Sequence, residues 1–271
     1  MPNEKLKKII HLASKTIDEP QEYVDSYVAF IDILAFKTII RDKTAQEVKE
    51  IYNEIRMVDT LFCGTNLLSS IPQEVRDNLK MTFMSDSIII SISKDISMAF
   101  FGLLVFCLLI QHKLMGLRTP ILSRGAISSG NYYQFYDKET DTPVIFGPCF
   151  NEAYLLQEEI AIYPRIIIRN TLLDVEKSHL SGDRLALLNN FTRKSDDAYY
   201  FIDYLKFRMV FSKEGFEGNY RIKEFIESQL LIQQIERIKQ KYSWLREYYN
   251  NTLKTSSDIT GRVLLDEYKI K

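Results

Sequence analysis

The sequence has little cysteine and almost no net charge, and both absences exclude whole classes of protein. Three cysteines in 271 residues, Cys63, Cys107 and Cys149, are odd in number and widely spaced. They suggest neither a disulfide framework nor a zinc cluster, so a reducing, cytoplasmic setting is expected. Lys and Arg number 35 against 36 Asp and Glu, a formal net charge of −1. That balance lacks the basic footprint for duplex DNA or an anionic membrane. No stretch reaches the roughly 20 apolar residues that span a bilayer. Met98 to Ile110 comes nearest, but Gln111-His112-Lys113 breaks it, and a buried helix over a sheet is expected there. The N-terminal stretch is mixed and amphipathic, without the long apolar core of a signal peptide. Internal repeats and low-complexity segments are lacking too.

What is present is enough apolar material for a core: 46% hydrophobic residues beside 26% charged. Tyr27-Val28-Ala29-Phe30-Ile31-Asp32-Ile33 reads as a buried strand with one acid in it. A charge in such a setting is costly unless something pairs with it. Further on, two short apolar runs flank Ser85-Asp86, which predicts a hairpin with an acid at its tip. Between strand and hairpin, Val48, Ile51, Tyr52, Ile55, Val58, Leu61 and Phe62 recur at helical spacing over Ala45–Phe62. Strand, crossover, strand and hairpin form a split βαβ pattern, and a right-handed crossover makes the first two strands parallel. Asp32 and Asp86 then meet at one sheet edge, where two carboxylates suit a hard divalent cation. Taken singly, Asp32 could pair with a buried Arg and Asp86 could be a turn residue.

The remaining pattern predicts a helix over about 96–115, a strand over 121–128, and a surface hairpin over 130–143 with its aromatics packed inward. A short strand at Val144–Phe146, a helix over Cys149–Glu159, a strand over Arg165–Arg169 and a short helix over Thr171–Glu176 follow. The expected fold is α+β: a ferredoxin-like, palm-type core with an antiparallel-rich sheet, helices on one face and additional C-terminal helices. Its divisions are an N-terminal helical segment (1–26), the core (27–177) and a C-terminal extension (178–271). Within the extension, Ser178–Asp197 reads as a polar connection. Arg221–Tyr249 reads as one long helix, with Ile222, Phe225, Ile226, Leu230, Ile235, Ile238, Tyr242 and Leu245 in a stripe. The tail from Thr255 is weakly specified.

Asp32-Ile33-Leu34-Ala35-Phe36 and the hairpin Asp86 resemble the class III nucleotidyl cyclases, whose two metal-holding Asp residues stand in these two contexts. The segments Ser123–Gly130, Phe146–Ala153, Tyr163-Pro164-Arg165, Tyr199–Leu205 and Lys241-Tyr242-Ser243-Trp244-Leu245 are most similar to the Pycsar pyrimidine cyclases of bacterial anti-phage defence. The resemblance spans about Tyr27 to Asn250. It implies conversion of UTP or CTP to a 3′,5′-cyclic mononucleotide and pyrophosphate, with two Mg²⁺ or Mn²⁺ ions held by Asp32, Asp86 and the Ile33 carbonyl. It also implies a homodimer with sites at the interface and a downstream effector that hears the product.

Asn151 matches the transition-state Asn of purine cyclases, whereas Leu155 stands where their Arg would be four residues on. Arg124 and Arg165 are the candidate phosphate cations, with a surface or salt-bridged Arg as the alternative for each. Amides of the Asp32–Phe36 turn are further candidates for phosphate contact. Thr82 and Val144 fall where an adenine-reading Lys and Asp would be, so adenine loses its polar partners. Phe146, Phe30 and Phe83 are candidate walls for a smaller base, or simply core. The rival expectation is a cyclase-fold sensor that binds a nucleotide without turning it over.

Overall fold

The computed structural model describes residues 22–56, 71–137, 142–211, 217–260 and 268–270. The expected helix over 4–14 lies outside these residues, as do Val58, Leu61 and Phe62 of the first crossover helix and Cys63. Strand β1 is Val24–Ile33, followed by helices α1 (Phe36–Asp42), α2 (Ala45–Arg56) and α3 (Gln73–Asn78). The hairpin is β2 (Lys80–Met84) and β3 (Ser87–Ser93), and α4 (Ala99–Gly116) leads into β4 (Ser123–Asp137). Then come β5 (Thr142–Phe146), α5 (Pro148–Leu155), a π-helical turn (Leu156–Ile160), β6 (Ile166–Arg169) and α6 (Asn170–Ser178). The extension holds α7 (Gly182–Phe191), β7 (Thr192–Lys194), β8 (Tyr199–Ile202), α8 (Tyr204–Phe211), α9 (Glu217–Ile232) and α10 (Glu236–Thr260).

The sheet runs β2-β3-β1-β4-β6-β8-β7, with β5 paired to β4 off this path. Its first four strands are antiparallel neighbours, so β1 and β2, separated by β3, point the same way. This is the expected ferredoxin-like order. One face of β1, with Tyr27, Ala29, Ile31 and Ile33, packs with Ile88 and Ile90 of β3 into the main core. Helix α4 fills that core; it is long and apolar enough to cross a membrane, and 89% of it is buried inside the protein. Alongside this helix layer, α5 lies on the opposite face, where Cys149 and Ala153 join Val28 and Phe30.

Three expectations are corrected. Strand β4 does not end near Ser128 but continues to Asp137 and pairs with β5; of its aromatics Tyr132 is buried, while Phe135 and Tyr136 are exposed. The stretch 178–197 is not a plain connection: it holds α7 and β7, and β7 completes the sheet edge beside β8. Its polar surface hid Leu188 and Phe191, which are buried.

The long C-terminal helix is two helices, α9 and α10, broken at 233–235. The apolar stripe loses phase there, because the step from Leu230 to Ile235 is five residues rather than three or four. Phe225 and Tyr242 form an edge-to-face pair with centroids 5.9 Å apart. A straight helix would separate them by about 25 Å at 1.5 Å per residue. Folding back lets both helices bury their apolar sides, and Ile222, Ile226, Leu245 and Tyr249 join the main core.

Candidate active site

Residues directly opposite in adjacent antiparallel strands share a face. Asp32 of β1 stands opposite Arg124 of β4 on one side and Ser87 of β3 on the other. All three lie on the α5 face, at the end of the sheet. Arg124 Nε donates to Asp32 Oδ2 at 2.9 Å, with the two side chains 15% and 18% exposed. The buried Arg that was the alternative reading of Asp32 is therefore Arg124 itself.

The π-helical turn completes this arrangement. Gln157, 3% exposed, accepts from Arg124 Nη1 through its carbonyl at 3.3 Å and donates from Nε2 to Asp32 Oδ2 at 3.4 Å. Such widened turns occur often at functional sites. Gln157 carried no signal in the sequence, since only the local change of helix pitch turns it toward Asp32.

Asp86 reaches the same place from the hairpin. The Ile33 N–H donates to the Asp86 carbonyl at 2.8 Å, which ties the hairpin tip to the end of β1. The Tyr52 hydroxyl of α2 donates to the Ser85 carbonyl and holds the tip from the other side. Ser85 (φ 53°) and Ala35 (φ 60°) are both left-handed without being glycine. Such backbone costs on the order of 1 to 3 kcal/mol per residue and gathers at functional sites. Here it flanks each acid.

The electrostatics follow from this packing. Burial raises the Asp32 pKa; the Arg124 bond opposes that, the nearby Asp86 charge adds to it, and Lys241 lowers it. The net direction is upward, because burial outweighs the pairing with Arg124. Among the described residues no group of three or more His, Cys, Asp or Glu could hold a metal ion. The chain thus offers two carboxylates and the nearby Ile33 main chain. That donor set fits Mg²⁺ or Mn²⁺, hard cations commonly shared between one or two carboxylates and substrate phosphates.

Asn151 is exposed on α5, one turn before Leu155, which is exposed too, and the polar partners of Asp32 are Arg124 and Gln157, not Asn151. Phe36 opens α1 and meets Tyr52 edge-to-face at 6.3 Å, and Tyr52 in turn meets Phe83 at 5.4 Å. Phe30 is core, packed on Phe150 and Tyr154 of α5. Phe146 is exposed and packs on Tyr133 and Tyr23, away from Asp32.

Arg165, expected as a phosphate cation, is an interior residue. It is 1% exposed, paired with Asp197 and with Ser195 Oγ at 2.6 Å, and its guanidinium lies near the Tyr163, Phe201 and Trp244 rings. Its charge is met inside the fold.

Thr82 does share the face of Asp32. Its hydroxyl accepts from Gln134 Nε2 at 3.1 Å, while Gln134 Oε1 accepts from Ser91 and from Tyr132, each at 3.0 Å. Gln134, which sequence reasoning passed over, is thus the centre of a neutral polar network. Val144 stands opposite Phe135, one residue out of step with the Gln134–Ile145 pair.

No protein-family profile and no curated protein matches this chain. Among solved structures it is similar to the catalytic core of a rhodopsin-guanylyl cyclase with converted specificity, in complex with ATPalphaS. That likeness has 14% identity and a TM-score of 0.47, and covers 69% of this chain and 98% of that one. The dimeric guanylyl cyclase domain of the RhoGC fusion protein from Blastocladiella emersonii is similar at 16% identity and a TM-score of 0.45, covering 67% and 97%. The adenylyl cyclase CyaB from P. aeruginosa is similar at 14% identity and a TM-score of 0.42, covering 67% and 94%. At these identities the likeness is one of fold alone.

Proposed function

We propose that this protein is a nucleotidyl cyclase that converts UTP or CTP to a 3′,5′-cyclic mononucleotide and pyrophosphate. The observation that carries the reading is the convergence of Asp32 and Asp86 from two segments on one end of the sheet, with Arg124 beside them. In the reaction the ribose 3′-oxygen attacks the α-phosphorus, and the bond from that phosphorus to the β-phosphate oxygen breaks. Positioning and charge neutralisation supply most of such catalysis. Asp32 and Asp86, with the Ile33 carbonyl, are the residues that would hold divalent ions. Such ions, when bound, lower the pKa of the 3′-hydroxyl and neutralise the phosphates. Arg124, fixed by Asp32 and Gln157, has its guanidinium beside the acids to meet a phosphate oxygen.

The pyrimidine preference is supported by the residue types at Thr82 and Val144. Neither a Lys nor an Asp stands at Thr82 or Val144, so adenine finds no charged partners there. Each unpaired polar group of a bound base costs about 1 to 3 kcal/mol, roughly one to two orders of magnitude in rate. Rates with the four triphosphates and Mn²⁺, side by side, test this. UTP or CTP is expected to turn over fastest; a clear preference for ATP or GTP contradicts the base assignment.

The resemblance implies further that the chain acts as a homodimer, with Asn151 reaching the partner's acids, and that its cyclic product is an alarm heard by an effector in infected bacteria. A second reading, a nucleotide-binding sensor without turnover, is favoured by one feature: Leu155, 47% exposed, offers no cation to the transition state.

A further inference from the structure

We propose that Lys241, with Arg237 one turn before it, forms a cationic subsite for the polyphosphate tail of the substrate, supplied by the C-terminal helix of the same chain. This inference rests on the cyclase reading above and names residues outside the core that bears the acids.

Helix α10 presents a buried stripe of Leu245, Tyr248, Thr252 and Ser256 to the core. Continued one turn toward the N-terminus, the stripe arrives at Lys241, a half-buried cation. Two contacts fix where that turn sits. Trp244 stacks on Tyr163, just past the π-helical turn, with centroids 5.2 Å apart and rings 7° from parallel. The Tyr248 hydroxyl donates to Asp203 Oδ1 at 2.7 Å. Lys241 is thereby held beside the turn that carries Gln157, near enough for its charge to act on both Asp32 and Arg124.

The charges there are out of balance. Lys241 has Arg124 and Arg237 beside it and Asp32 as its opposing charge, and Asp32 in turn has Asp86 beside it, so cations gather around Lys241 before any ligand arrives. Burial, then Arg124 and Arg237, pull the Lys241 pKa down, against the pull of Asp32. The helix dipole does not account for Arg237, which lies in the first turn of α10, where cations are disfavoured. A polyanion satisfies all of these groups together. As the 3′-oxygen–phosphorus bond forms, the electron pair of the breaking bond leaves with pyrophosphate and the 3′-hydroxyl proton passes to solvent. Lys241 and Arg237 stay protonated and meet the charge that develops on pyrophosphate.

Calorimetric titration of the full chain with inorganic pyrophosphate, in EDTA, tests the subsite without metal or turnover. Lys241→Met is expected to weaken binding about tenfold, the worth of one charge-assisted hydrogen bond, with Arg237→Met weaker in effect and Lys241→Arg restoring most of the loss. In the cyclase assay Lys241→Met should lower kcat more than it raises KM. The melting midpoint and Trp244 fluorescence verify the fold, and Lys241→Gln serves if the Met variant fails to fold. Unchanged pyrophosphate binding in a folded variant, or no binding by the wild type, overturns the proposal. Absence of cyclic product, with pyrophosphate binding still dependent on Lys241, sinks the cyclase reading and leaves the subsite standing.

Discussion

Asp32 and His112 show how differently one fold treats two titratable side chains. Asp32 is half enclosed, yet a guanidinium, an amide and a second acid meet it, so its charge has company. His112, on α4, is buried against Phe207 with centroids 5.1 Å apart. Burial first, then Arg208 and Lys113, push its pKa down to about 3. The sign follows from proton counting. The unfolded chain takes up a proton near the ordinary value of 6.5, and the folded one does not until about pH 3. Stability is therefore full above pH 6.5 and falls as pH drops through that window, by a few kcal/mol in all at about 1.4 kcal/mol per pH unit. Urea unfolding of His112→Leu between pH 7 and 4 should show a flatter decline than the wild type. Equal slopes would mean His112 is protonated in the fold.

At this scale the sequence is legible where a residue breaks its own surroundings. Asp32 stands out because it is charged in a strand of Val, Phe and Ile. Gln157 does not, because its role depends on a π-helical turn that no pattern of residue types announces. Ala35 and Ser85 are equally silent: nothing in an Ala or a Ser predicts positive φ.

Among the elements, β1 and the β2–β3 hairpin follow from short apolar runs and a two-residue turn, and their register then places Asp32 and Asp86. The break between α9 and α10 contains neither Gly nor Pro, so only the slip in phase between Leu230 and Ile235 marked it. The β5–α5 junction is where one residue holds two elements in place. Gly147 has φ +137°, and a Cβ there would lie 2.7 Å from the Asn131 carbonyl oxygen and 2.9 Å from Tyr132 Cα. Both neighbours are backbone of β4 and cannot turn aside. Gly147→Ala is expected to cost about 1 to 3 kcal/mol and to shift α5, which carries Asn151, on the sheet. Chemical denaturation reads the first effect; an unaltered midpoint would mean that β4 yields.

Over the whole molecule, the C-terminal helices share one core with the sheet, and α10 brings the charge of Lys241 within reach of Asp32. The first of these facts was foreshadowed by the apolar stripe; the second was not, since a lysine-rich helix start resembles any solvated surface. Asn151 and Leu155 remain exposed on α5, where a second copy could meet them. If Asn151 acts in trans, Asp32→Ala and Asn151→Ala chains, each inactive alone, should regain activity when mixed. A strictly monomeric protein of full activity would exclude that arrangement.

The central claim is that Asp32 and Asp86 form one catalytic site, and the most direct measurement is cyclic nucleotide formed from UTP and CTP with Mn²⁺ by the wild type, Asp32→Asn and Asp86→Asn. Removing a carboxylate from a crowded pair should leave both variants folded. Product from the wild type and none above background from either variant is the predicted result. Product from a folded variant at the wild-type rate, or none from the wild type with any triphosphate, would contradict it.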